Sequence, residues 1–139
     1  MTTAVAKDRP KAKERRRFPR FVLPSMYTGV EVRPMNSDKF QWQGHAYDIS
    51  EGGMRFEVDE PIDPGTEIAV RIELPGAQNL AISERRPVYA LADVVWVEQD
   101  DVEARGPVRM ACNFKRFIVP GDRQRLRDRL ESGRFSAAA

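Results

Sequence analysis

The strongest constraint on the fold is an alternation of period two between Thr66 and Leu74. Ile68, Val70, Ile72 and Leu74 fall on one side, and Glu67, Arg71 and Glu73 on the other. Successive side chains of a strand point to opposite faces, so this pattern marks a strand with one face in a core and one in water. Comparable runs recur along the chain. Tyr27 to Arg33 is rich in Thr and Val and stops before Pro34, and Phe40 to Asp48 alternates imperfectly through Phe40, Trp42, His45 and Tyr47. Met54 to Val58 follows a turn at Ser50 to Gly53, and Val108 to Phe117 keeps Val108, Met110, Cys112 and Phe114 in phase. Val88 to Glu98 is long, apolar and β-branched, which predicts a strand that bends or is buried on both faces. Breakers such as Ile62-Asp63-Pro64-Gly65 and Pro75-Gly76 separate the runs. Six short strands joined by Gly/Pro turns predict a small antiparallel barrel or sandwich.

Only the end reads as helical. Pro120-Gly121-Asp122 is a start signal, Leu126 and Leu130 share a face, and Gly133 is a stop. Arg123, Arg127 and Arg129 are expected on solvated faces, and the helix can cover an open end of a barrel. Residues 1–13 read as a flexible N-terminal tail, 14–133 as the domain, and 134–139 as a disordered C-terminal tail.

The chain has 139 residues, 41% hydrophobic and 32% charged, as expected for one soluble domain. No run approaches the roughly 18 apolar residues of a membrane span, so no membrane insertion is expected. Residues 1–13 lack the apolar region of a signal peptide. One cysteine, Cys112, permits no internal disulfide, and a reducing cytoplasm is the default compartment. The net charge of +2 is uneven. Residues 1–25 hold eight cations against two anions, leaving fifteen cations and nineteen anions in the rest. The positive charge is therefore local, which suits a small anion better than a nucleic acid, whose binders more often carry a whole basic face.

That local charge lies in Arg15-Arg16-Arg17-Phe18-Pro19-Arg20, ahead of the first predicted strand. About thirty residues later Asp48-Ile49-Ser50-Glu51-Gly52-Gly53 supplies a carboxylate, a hydroxyl and a Gly-rich turn with free N–H groups. Guanidinium forks bond bidentately to phosphates and to the O6/N7 edge of guanine, and can stack on a base. A carboxylate accepts from the N1–H/N2–H₂ edge of guanine. Together the two segments propose a receptor for a small, doubly anionic ligand with guanine-like edges.

Arg16-x-x-x-Arg20 followed by Asp48-x-Ser50-x-x-Gly53, in this order and with this strand pattern, resembles the paired signature of PilZ domains. The resemblance spans about residues 14–131. It implies an all-β fold, a six-stranded antiparallel β-barrel of the split-barrel kind with a C-terminal α-helix. It also implies a bacterial receptor for the second messenger cyclic di-GMP, with no cofactor beyond that ligand. The ligand-binding residues it implies are Arg16, Arg20, Asp48, Ser50 and Gly53, with Arg15 and Arg17 as secondary contacts. Asp48 would accept from guanine or orient an arginine, Ser50 would donate to a phosphate or a guanine acceptor, and Gly53 would allow close backbone approach or a positive φ. An extra arginine such as Arg15 goes in this family with an intercalated ligand dimer. One departure is evident: many members carry Gly-x-Gly where this chain reads Met110-Ala111-Cys112-Asn113-Phe114.

The function read from the chain is a cyclic di-GMP receptor that passes its signal to an effector protein by contact, as a monomer or homodimer. Like charges would keep the arginine segment mobile when empty, and two phosphates would fold it against the barrel. The alternative is an interaction module of the same fold that does not bind the nucleotide. An RNA- or single-strand-binding barrel is disfavoured by the acidic body. No enzyme or metal site is expected. His45 is the one histidine, too few ligands for a metal centre and the sole imidazole available to activate a nucleophile. Trp42 and Trp96 read as core, Gly52 as structural, and Asp59-Glu60 and Asp100-Asp101 as solvated turn charges.

Overall fold

The alternating runs form strands in a computed structural model that describes residues 18–23, 28–98 and 107–137. They are β1 (Phe21–Val22), β2 (Gly29–Pro34), β3 (Trp42–Ser50), β4 (Gly53–Val58), β5 (Glu67–Ile72), β6 (Val88–Val97) and β7 (Val108–Phe117), followed by the helix α1 (Asp122–Leu130). All pairings are antiparallel, in the order β3-β2-β5-β6-β7-β4, and β4 pairs back to β3. Among the described residues this is a closed six-stranded barrel with one extra strand, β1, and one C-terminal helix. Closure removes the unpaired edges on which a small sheet would otherwise aggregate.

The inward positions fill the barrel. Val30 and Val32 from β2, Phe56 and Val58 from β4, Ile68, Val70 and Ile72 from β5, and Ala90 and Ala92 from β6 are all buried. Leu126 and Leu130, on one face of α1, complete the core at one end. Gly44 sits where β3 is paired on both sides, opposite Val30 and Val58. A Cβ there would run into the carbonyl oxygen of Glu57, so the position requires glycine for backbone approach, not for a special φ.

Two bulges re-aim side chains. In β3, Ala46 pairs with Phe56 but Asp48 pairs with Arg55, so Tyr47 is an extra residue. Strict alternation from buried Ala46 would turn Asp48 inward. The inserted residue turns Asp48 to the outer face of the barrel, where it lies buried beside Arg55, and returns Ile49 to the core. In β6, Val94 pairs with Cys112 and Trp96 with Ala111, leaving Val95 unpaired. The long strand therefore bends and keeps one buried face. Trp96 is correspondingly not a core residue: it is 39% exposed, whereas Trp42 is half-buried against the core and donates from Nε1 to Glu60.

The helix also departs from expectation at one arginine. Arg129 is buried, not solvated, and donates to the carbonyls of Pro75 (2.6 Å) and Gly76 (2.7 Å). Those carbonyls come from the loop after β5, which folds over the helix. Asp122 is fully buried at the helix start and accepts from Arg86 and Arg125, each at 3.0 Å. Beyond residue 133, where a disordered tail is expected, Phe135 packs on the core and Ser136 accepts from the backbone of Val22.

Candidate functional site

The β3–β4 hairpin turns through Glu51 and Gly52, with Ser50 paired to Gly53. The Ser50 hydroxyl accepts from the Gly52 N–H at 3.0 Å and lies 3.5 Å from the Gly53 carbonyl, so it ties the turn as well as facing outward. Neither glycine has a positive φ. A Cβ on Gly53 would strike the Cys112 carbonyl, and one on Gly52 would lie 2.9 Å from the Phe18 ring. Close approach, not an unusual φ, is therefore what glycine provides at both positions.

This hairpin is one wall of a half-open cleft of about 350 Å³. Phe18 and Arg20 form a second wall, and Ala111, Cys112 and Asn113 of β7 form the floor. Arg20, Asp48, Ser50 and Gly53 thus meet in one place although they come from separate segments. Arg15, Arg16 and Arg17 lie outside the described residues. Asp48 is buried, and Oδ2 lies 3.0 Å from Nε of Arg55, a cleft residue that the sequence reading did not single out. The register of β3 on β4 brings these two together, and no sequence pattern marks a register that depends on a bulge. Tyr47 stands next to Asp48. Burial pushes its phenol above the ordinary value, partly offset by Arg109 and Arg55, so it is a neutral hydroxyl at physiological pH.

On the cleft floor the departure from Gly-x-Gly resolves by face. Cys112 is buried in the core, while Ala111, opposite Arg55, carries only a methyl group on the outer side. Burial pushes the Cys112 thiol up to about 12. Cys112 is therefore expected to resist iodoacetamide at pH 8 in the native protein and to react readily once guanidinium chloride unfolds it. Native-state labelling at the rate of a free thiol would show that the floor opens.

The hairpin is tied to the helix. Glu51 faces Nε of Arg123 at 2.9 Å and Nε of Arg127 at 3.5 Å. The Arg123 guanidinium also lies 5.2 Å from the centre of the Phe18 ring. A larger recess of about 630 Å³ adjoins the cleft behind Phe18 and Gly52, lined also by Phe114, Phe117 and Arg116. His45 pairs with Glu57 at 3.1 Å on the outer face of the barrel. Among the described residues, no group of three or more His, Cys, Asp or Glu side chains could hold a metal ion, and no helix is long and apolar enough to cross a membrane.

Comparison with known proteins places this fold. A comparison with curated proteins finds no match. Among solved structures, the PilZ domain of YcgR from Escherichia coli, determined with cyclic di-GMP, is 17% identical with a TM-score of 0.59, covering 85% of this chain and 90% of that one. The inhibitor of motility MotI/DgrA from Bacillus subtilis is 19% identical with a TM-score of 0.59, covering 84% of this chain and 49% of that one. The MrkH–cyclic di-GMP complex from K. pneumonia is 18% identical with a TM-score of 0.53, covering 81% and 49% respectively. The chain thus spans about half the length of the last two proteins. The PilZ domain profile matches residues 14–132, nearly the whole chain. This chain belongs to the PilZ domain family.

Proposed function

We propose that this protein binds cyclic di-GMP in the cleft between the Arg20 segment and the β3–β4 hairpin, and hands the signal to a partner protein by contact. The observation that carries this reading is the convergence of Arg20, Asp48, Ser50 and Gly53 on one cleft. Its chemistry suits the ligand: a guanidinium for phosphate or the guanine O6/N7 edge, a carboxylate for the N1–H/N2–H₂ edge, and a hydroxyl beside a Gly-rich turn. The structures of YcgR and MrkH with cyclic di-GMP support it from outside the chain. Arg16 would share with Arg20 the hold on phosphate or guanine edges, and Arg15 and Arg17 would add phosphate contacts.

Signal transfer would run through the neighbours of the cleft. Ligand phosphates drawing the arginine segment onto the barrel would shift Phe18, which packs on Arg123, and Arg123 shares Glu51 with the hairpin. The surface around α1 is then what a partner would read. Calorimetric titration of cyclic di-GMP into the protein, with GTP as the control, tests the first step. Saturable binding at micromolar concentration or tighter, not shared by GTP, is expected, and its stoichiometry separates one ligand from an intercalated pair. An absence of binding would leave a ligand-free interaction module of the same fold.

A further inference from the structure

We propose that Arg55 is a specificity-determining residue that, with Asp48, reads a guanine base by both of its polar edges; the inference rests on the ligand reading above. The two residues are register partners on adjacent strands, held side by side on the outer face by the bulge at Tyr47. Both line the cleft. The Asp48 side chain is 9% exposed and that of Arg55 is 38% exposed, so the carboxylate sits deep and the guanidinium stands at the opening. Arg55 is drawn toward β3 and away from its other neighbour, Ala111 of β7, whose methyl group leaves space for a flat base.

The contact between them is close but misaligned. Nε of Arg55 approaches Oδ2 of Asp48 at 3.0 Å, yet it is buried and makes no hydrogen bond. A buried donor without a hydrogen bond is uncommon and unfavourable. A third group that met both charges would relieve it. Guanine fits this demand: N1–H and N2–H₂ donate toward a carboxylate while O6 and N7 accept from a guanidinium. Adenine fails on the same positions, because it turns the N6 amino group toward the arginine and the N1 acceptor toward the carboxylate. The pair therefore provides attraction for guanine and repulsion against adenine from two neighbouring side chains.

Titration of cyclic di-GMP and, by competition, cyclic di-AMP into wild type, Arg55→Met, Arg55→Lys and Arg20→Ala tests this. Methionine keeps the apolar stem of Arg55 and removes the donors. Arg55→Met is expected to weaken cyclic di-GMP about tenfold or more, the range of a bidentate Arg–guanine contact, and to leave cyclic di-AMP within about threefold. Arg55→Lys is expected to fall between, since an ammonium cannot form the fork. Unchanged cyclic di-GMP binding by Arg55→Met would overturn the proposal. Equal weakening of both dinucleotides would also overturn it, by reducing Arg55 to general charge or to a fold contact. Tighter binding would do so as well, by making Arg55 a competitor for Asp48. If Arg20→Ala loses binding while Arg55→Met keeps it, only this proposal falls. If wild type binds no guanine dinucleotide, the ligand reading falls and this one with it.

Discussion

Arg20→Ala is expected to weaken cyclic di-GMP binding at least about a hundredfold, while the melting temperature stays within a few degrees of wild type. Arg20 stands in the cleft wall across from Ser50 and Gly53, half-buried and hence partly stripped of water before any ligand arrives. A charge-assisted hydrogen bond contributes about 1.5–3 kcal/mol, and a bidentate contact to a phosphate or a guanine edge makes two at once. Losing the fork thus removes roughly 3 kcal/mol, which is about two decades in affinity. The fold should survive, because Arg20 precedes β1 and is not one of the core residues. Calorimetry paired with a thermal melt separates the two effects. Binding retained within threefold by a folded Arg20→Ala would move the ligand away from this cleft.

The largest expected effect on stability is at Gly44. A methyl group there meets the backbone carbonyl of Glu57 on the adjacent strand, and a backbone oxygen in a ladder cannot rotate aside. Overpacking typically costs 1–3 kcal/mol and more where nothing can yield. Gly44→Ala is therefore expected to lose about 3 kcal/mol or more, a fall in melting temperature on the order of 10 °C for a domain of this size. Gly65→Ala is the contrast. Gly65 has φ of 91° but nothing within 4 Å of a new Cβ, so only the backbone preference is lost, about 1–2 kcal/mol. Thermal melts of the two variants decide this. If Gly44→Ala melted no lower than Gly65→Ala, the barrel would have to open at β3–β4 at little cost.

Much of the architecture was legible in the chain because period-two alternation is a local signal. Ile68, Val70 and Ile72 announce β5, and Met110 with Cys112 announce the inward face of β7. What stayed hidden depends on register and on distant partners. Trp96 looks like core until the extra residue Val95 turns it outward, and a bulge leaves composition unchanged. Arg129 looks solvated because its two acceptors lie in a loop more than fifty residues earlier. The extra strand β1 has two residues, too short for any periodicity. At the candidate site the motif residues were visible as a pattern, and Arg20, Asp48, Ser50 and Gly53 do share a cleft. Arg55 was not visible, since its place next to Asp48 follows from the irregularity at Tyr47 and not from any spacing in the motif.

The cleft floor belongs to β7, and β4 reaches it through a ladder that pairs Gly53, Met54 and Arg55 with Asn113, Cys112 and Ala111, residues far apart in the chain. The walls come from the first half of the sequence and the floor from its last third. A chain still leaving the ribosome would present the arginines and the finished hairpin with nothing beneath them. It would have no place for the messenger until the final strand docked. Under the proposed function, ligand capture would then wait for β7 to emerge and dock, and a product truncated before β7 would hold no second messenger.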